Sequence, residues 1–399
     1  MTDKAEMASL SHRRLFLPSL VTASFASGPI SVLVALLLID IGNTFNTSVG
    51  ITGQVNTAYS VAAFVSAMLM GALSIKFKHK SLLLVGLVLI ILSAVGCYLA
   101  LNFTSFLISY SLSGVGFAVV TPMTFALVGE HISLERRAHA VGWIIAGGAL
   151  VWVIGAPVIA VMAESGSWRY PLLGFVTPLL AISLLLAFLG IPSALANPPN
   201  SVSMRSYLRS FKEILSSRSA VACLMGDACR SGAFVAIVVY AASFVRERFL
   251  VSTNQASLVL LGGATCYALG SIVCGLLVNK IGRKTSTVLT ALLSGVFTVM
   301  FAFVPDLWLS TLLILLASWF FGMVAVAANS LTLEQIPRLR GPLMSVDAAA
   351  VNLGSALGAA IGGAALIAFG YEGLGGFLGL LSVVGAVIVS FLAVDPTKP

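Results

Sequence analysis

The sequence predicts an all-α, polytopic membrane protein of twelve transmembrane helices arranged as two related halves of six. Three observations predict it. Hydrophobic residues make up 59% of the chain and charged residues only 9%, with a mean hydropathy of +1.05, too little charge to clothe a soluble protein of 399 residues. Apolar runs of about 20 residues, enough to cross roughly 30 Å of hydrocarbon at about 1.5 Å per residue, recur from end to end. Basic residues gather in alternate breaks between those runs.

Polar and charged breaks place helices near 15–40, 52–75, 81–101, 104–130, 138–163, 169–192, 219–245, 254–279, 285–305, 307–334, 341–368 and 372–393. The first run, Leu15 to Asp40, exceeds the apolar core of a secretory signal and no small-residue cleavage site follows it, so it reads as a retained helix. Strands are not expected, because lipid admits only helices or closed barrels, and barrels show short alternating segments. The five cysteines lie inside apolar runs without metal-ligand or disulfide-framework spacing and read as packing residues.

One set of breaks carries Arg13 and Arg14, Lys76, Lys78 and Lys80, Arg136 and Arg137, Arg205, Arg209, Lys212 and Arg218, Lys280, Arg283 and Lys284, and Arg338 and Arg340. The opposite set carries only Arg169, Arg246 and Arg248. The positive-inside rule then places both termini in the cytoplasm, with the chain in the plasma membrane. The net charge of +8 is thereby explained by topology, without a nucleic-acid partner. The longest polar stretch, 193–218, reads as a cytoplasmic linker between bundles 1–192 and 219–399, with a basic amphipathic segment, Met204 to Arg218, on the membrane surface.

The halves repeat. Gly71-Ala72-Leu73-Ser74-Ile75-Lys76-Phe77-Lys78-His79-Lys80 aligns with Gly275-Leu276-Leu277-Val278-Asn279-Lys280-Ile281-Gly282-Arg283-Lys284 at an offset of 275 − 71 = 204. The same offset aligns Glu130 and Arg136 with Glu334 and Arg340.

These loops resemble the G-x-L-A-D-R-x-G-R-K signature of the major facilitator superfamily. The glycines and proline of Gly148 to Pro157, the following Trp168-Arg169-Tyr170, and Gly354, Gly358, Gly362 and Gly363 are similar to its drug and sugar efflux branch (drug:proton antiporters, arabinose-efflux-permease-like). Ile75 and Asn279 stand where the signature is acidic, and Tyr110 where that branch often has an arginine. The resemblance implies two pseudo-symmetric six-helix bundles rocking about a central site for a small molecule. It also implies a gate built from Gly71, Lys76, Lys80, Gly275, Lys280, Gly282, Arg283 and Lys284 with Asp347 of helix eleven, which would meet the Lys76–Lys80 loop.

Asp227 and Arg230 are the sharpest chemical candidates, because ionisable groups inside a membrane are costly unless paired or hydrated. Asp227 falls about 12 Å along helix seven, and a three-residue spacing lets the two face one another as a central pair serving proton coupling or simply locking the helix. Glu130 with Arg136, and Glu334 with Arg340, read as cytoplasmic latches. Asn56, Tyr59, Tyr240, Tyr267 and Asn352 are candidate cavity residues, polar or aromatic positions within helices near small residues. The four histidines fall in or beside the cytoplasmic breaks, so coupling would rest on carboxylates. Asn46-Thr47-Ser48 and Asn102-Phe103-Thr104 match the glycosylation acceptor pattern in breaks expected to face outward.

The function these features imply is secondary active export of a small amphipathic or sugar-like molecule, in exchange for protons, by a monomer in lipid without cofactor or metal. An uptake porter or uncoupled facilitator of the same fold is the alternative. A polytopic membrane enzyme would need a cluster of nucleophiles, carboxylates or metal ligands near one interface, and the sequence has none.

Overall fold

Apolar length and capping chemistry set where each helix begins and ends. The computed structural model describes residues 15–192 and 204–396, and no strand occurs among them. Ten of its helical stretches are long and apolar enough to cross a membrane. They include α1 (Leu15–Leu36), α3 (His79–Leu99), α4 (Phe103–His131), α5 (His139–Glu164), α6 (Leu172–Gly190) and α7 (Arg218–Phe249). Next come α8 (Thr253–Ile281), α9 (Arg283–Phe303) and α10 (Leu307–Gln335).

The tenth stretch is too long for one crossing. Arg340–Leu392 breaks at Gly370, whose φ of 68° suits a residue without a side chain, into α11 (340–369) and α12 (371–392). A further helix, α2 (Gln54–Lys76), has 23 residues, and its polar side chains lower its hydropathy. With these two, 10 + 1 + 1 = 12.

Local chemistry explains the boundaries. Asn102 and Ser105 form a reciprocal capping box at the start of α4, Ser252 and Gln255 do so for α8, and Asp306 accepts from Leu309 N at 2.7 Å to open α10. Both glycosylation-like asparagines thus have structural positions, Asn102 as that cap and Asn46 as a left-handed residue ending the helix Leu38–Phe45. A wide π-turn interrupts α5 at Val151–Gly155 and another opens α6 at Leu172–Val176, just before Pro157 and Pro178. Proline has no N–H to donate, and the wider turn absorbs the register change.

Contacts group the chain into two units, Met1–Leu33 with Leu69–Val202, and Val34–Met68 with Ser203–Pro399. In the first, Gly86 and Gly116 let the backbones of α3 and α4 touch. Trp168 packs edge-on to Phe106 at 5.5 Å, and Arg169 lies over the Trp168 ring while donating to Ala100 O at 2.7 Å. In the second, the α11 stripe meets α7 backbone to backbone, Gly354 against Ala228 and Gly358 against Gly232. Gly295 and Gly379 join α9 to α12 in the same way.

Residues 193–203 of the expected linker lie outside the described residues. The helix Met204–Ser216 follows, and Ile214 is buried against Ala220, Leu224 and Leu343.

Candidate functional site

Among the described residues, the second unit buries two carboxylates and a guanidinium beside one another. Asp227, nine residues or about 14 Å into α7, is 1% exposed, and Arg230 is 8% exposed. Arg230 Nε donates to Asp227 Oδ1 at 2.6 Å, the pairing that three-residue spacing permits. Asp347, about 10 Å into α11, is 3% exposed and within electrostatic and hydrogen-bonding reach of Asp227. The sequence assigned Asp347 to the gate, and within the second unit the fold gives it Asp227 as a neighbour. The glycine contacts between α7 and α11 bring the two carboxylates together across 347 − 227 = 120 residues, a proximity that no local spacing reports.

A small cavity, with room for no more than about one water molecule, adjoins the pair and is lined by Cys223, Asp227, Arg230, Thr287 and Thr332 among others. Asp227 Oδ2, Asp347 Oδ1 and Thr332 Oγ1 are buried without a hydrogen-bond partner in the protein. Tyr267 of α8 is within electrostatic reach of Arg230 and stacks on Phe234 at 5.2 Å.

The gate and latch residues take definite places. Lys80 Nζ donates to Phe188 O at 2.8 Å and Ile191 O at 2.6 Å, closing the end of α6 where a cation suits the helix dipole. Gly282 ends α8 at φ 101°, a conformation that favours glycine. Lys280 is exposed, Gly275 has open space around it, and Lys284 N donates to Asp395 Oδ2 at 3.3 Å. The Lys76 side chain and the surroundings of Gly71 lie outside the described residues.

Glu334 takes Arg340 at 2.8 Å and Arg283 at 3.4 Å. Glu130 differs from the expectation. Its partners are His79 at 2.7 Å and His131 at 3.9 Å, whereas Arg136 is exposed and its neighbour Arg137 donates to Gly129 O and Ile132 O at the end of α4. Internal symmetry explains the exchange, since 283 − 79 = 204 puts His79 at the position that Arg283 holds in the second half. The repeat aligns His79 with Arg283 as basic positions, but it does not say which carboxylate each one meets.

The five cavity candidates take separate descriptions. None lines the cavity beside Asp227. Tyr240 is buried against Gly53 and donates to Ala359 O at 3.2 Å, and Asn352 Nδ2 donates to Ala348 O at 2.9 Å within its own helix. Asn56 and Tyr59 are half-buried on α2. Sequence reasoning also missed the network at the end of α7. Arg246 binds Asp40 with two hydrogen bonds of 2.6 and 3.1 Å, Arg248 binds Glu372 at 2.9 Å, and Glu247 accepts from Tyr371 at 2.8 Å. Glu247 and Tyr371 also border a pocket of about 370 Å³ with Asn43 and Thr47.

The family model described as Major Facilitator Superfamily matches residues 19–249 and 228–399. The chain belongs to that superfamily. It is an integral membrane transporter rather than an enzyme. The MFS-type transporter YwfA of Bacillus subtilis is 24% identical over 380 residues, covering 94% of this chain and 90% of that one. A probable sugar efflux transporter of Helicobacter pylori is 25% identical over 401 residues, covering 96% of each. Among solved structures, a D-xylose–proton symporter superposes with a TM-score of 0.80 at 15% identity over 97% of this chain and 99% of that one. A bacterial homologue of the lysosomal transporter Spinster, inward-facing and unoccupied, gives 0.73 at 16% over 96% and 95%. These likenesses establish the twelve-helix fold that the sequence predicts.

Proposed function

We propose that this major facilitator exports a small, neutral or mildly polar, sugar-like molecule across the plasma membrane by alternating access, in exchange for protons, acting as a monomer with both termini cytoplasmic. The observation that carries the coupling is the buried set Asp227, Arg230 and Asp347, since ionisable groups within a membrane are costly and commonly mark ion pathways. The sparseness of other buried charge favours a neutral cargo, because a polyanion would need several cations around it. The sugar efflux transporters among the relatives support the substrate class and the direction.

In this reading Glu130 and Glu334, with His79 and with Arg283 and Arg340, are latches on the cytoplasmic side that yield during the cycle, and Lys80, Lys280 and Lys284 belong to the gate. A thermal-stability screen of the purified protein against sugars, nucleosides, amino acids and drugs tests the substrate class, since a ligand that binds the folded state raises its apparent stability. Stabilisation by sugars, with proton release on their addition, supports the proposal. Stabilisation confined to an organic polyanion contradicts it.

A further inference from the structure

The ion pair already described leaves one buried charge unexplained. Arg230 neutralises one carboxylate, and two carboxylates lie within its reach, so the fully ionised set carries 1 − 2 = −1 in a buried place. A guanidinium stays charged, so the imbalance cannot be relieved from that side. Lone carboxylate oxygens buried without donors are unfavourable, and here there are two, Asp227 Oδ2 and Asp347 Oδ1, one on each of two packed helices.

We infer that Asp227 and Asp347 form a single acid site that holds one exchangeable proton between their carboxyl groups, with Arg230 as its fixed countercharge. One proton brings the net charge to zero. It also turns one carboxyl into a donor, supplying a hydrogen bond that two ionised carboxylates cannot make with each other. A metal cation fits the same place poorly. Among the described residues no group of three or more His, Cys, Asp or Glu could hold a metal ion, and the adjoining cavity has no room for the six or more oxygen ligands that hard divalent cations take.

Other groups facing the site do not take over its role. Cys223 precedes Asp227 by one helical turn on α7, Tyr267 reaches Arg230 from α8, and Lys284 of α9 is within electrostatic range of Cys223. The cavity walls from α10 and α12, including Val324, Ala328, Thr332, Gly385 and Ala386, carry no titrating group.

The site has a mechanical consequence, because its halves sit on α7 and α11, the helices whose glycines bring their backbones into contact. With the proton bound, the carboxyls attract. Without it, two like charges repel across that contact, so occupancy biases the separation of the helices. This consequence rests on the proposed proton exchange, whereas the site itself does not.

Infrared titration of the full-length protein in nanodiscs tests the site through the carbonyl stretch of a protonated, buried carboxyl, identified by its shift in D₂O. One such band that disappears as pH rises, and that is lost in both Asp227→Asn and Asp347→Asn, is the expected result. Survival of the band in either variant, or its absence from the wild type, overturns the inference. Asp347→Glu keeps the carboxyl should an asparagine variant fail to fold, and retains a shifted band if the inference holds. Loss of the band on replacing choline chloride with sodium chloride would assign the site to a cation and overturn the proton. Flux measured on the same preparation separates the two readings. A band that behaves as expected beside flux indifferent to the pH gradient sustains the acid site and overturns the exchange mechanism. Proton-driven flux without the band does the reverse.

Discussion

Replacing Gly358 and Gly376 separately by alanine isolates the packing that seats α11 on α7. Both glycines lie in the stretch Arg340–Leu392, but a Cβ on Gly358 would strike the backbone of Gly232, while one on Gly376 meets nothing within 4 Å. Alanine gains roughly 1 kcal/mol over glycine in an open helix interior, and that gain is common to both sites. Overpacking typically costs about 1–3 kcal/mol, and backbone atoms cannot rotate away as a side chain would. Gly376→Ala should therefore stabilise by up to about 1 kcal/mol, and Gly358→Ala should fall below it by about 1–3 kcal/mol. Thermal unfolding of the purified variants in one detergent, read by the loss of the monodisperse chromatographic peak, measures the gap. Equal shifts at the two positions would refute the argument that backbone contact sets the approach of these helices.

Removing the cation from the buried set should hurt more than removing the extra carboxylate. Arg230→Met leaves Asp227 and Asp347 facing each other and should cost about 3–5 kcal/mol, whereas Asp347→Asn keeps a neutral pair and should cost far less, a ranking that thermal melts would reverse if the charge count were wrong. Asp40 and Arg246 are partly exposed, so a double-mutant cycle with Asp40→Asn and Arg246→Gln should give a coupling of about 1 kcal/mol, and no coupling would make the contact incidental.

The sequence and the structure agree where the bilayer dictates the answer. Length and hydropathy mark most of the spans outright, and the break expected after residue 368 falls at Gly370, because Tyr371 and Glu372 interrupt the apolar run. Asp227 and Arg230 were legible because helix geometry alone brings residues three apart together. Asp347 was not, because its neighbours are set by which faces of α7 and α11 meet, and the glycine stripe that decides this names no partner. Asp40 and Arg246 escaped for the same reason. The His79 contact was half-legible, because the internal offset matches it to Arg283 without naming Glu130 as its partner. The π-turns of α5 and α6 have a local cue in Pro157 and Pro178, but a proline predicts a bend without saying how it is absorbed.

Flux in proteoliposomes under an imposed pH gradient tests the central claim most directly, with sugars that stabilise the purified protein as cargo. The account predicts sugar movement against its gradient, opposite to the proton flow, that ceases in Asp227→Asn while the variant remains folded. Sugar movement that ignores the pH gradient, or that is unchanged in Asp227→Asn, would contradict it.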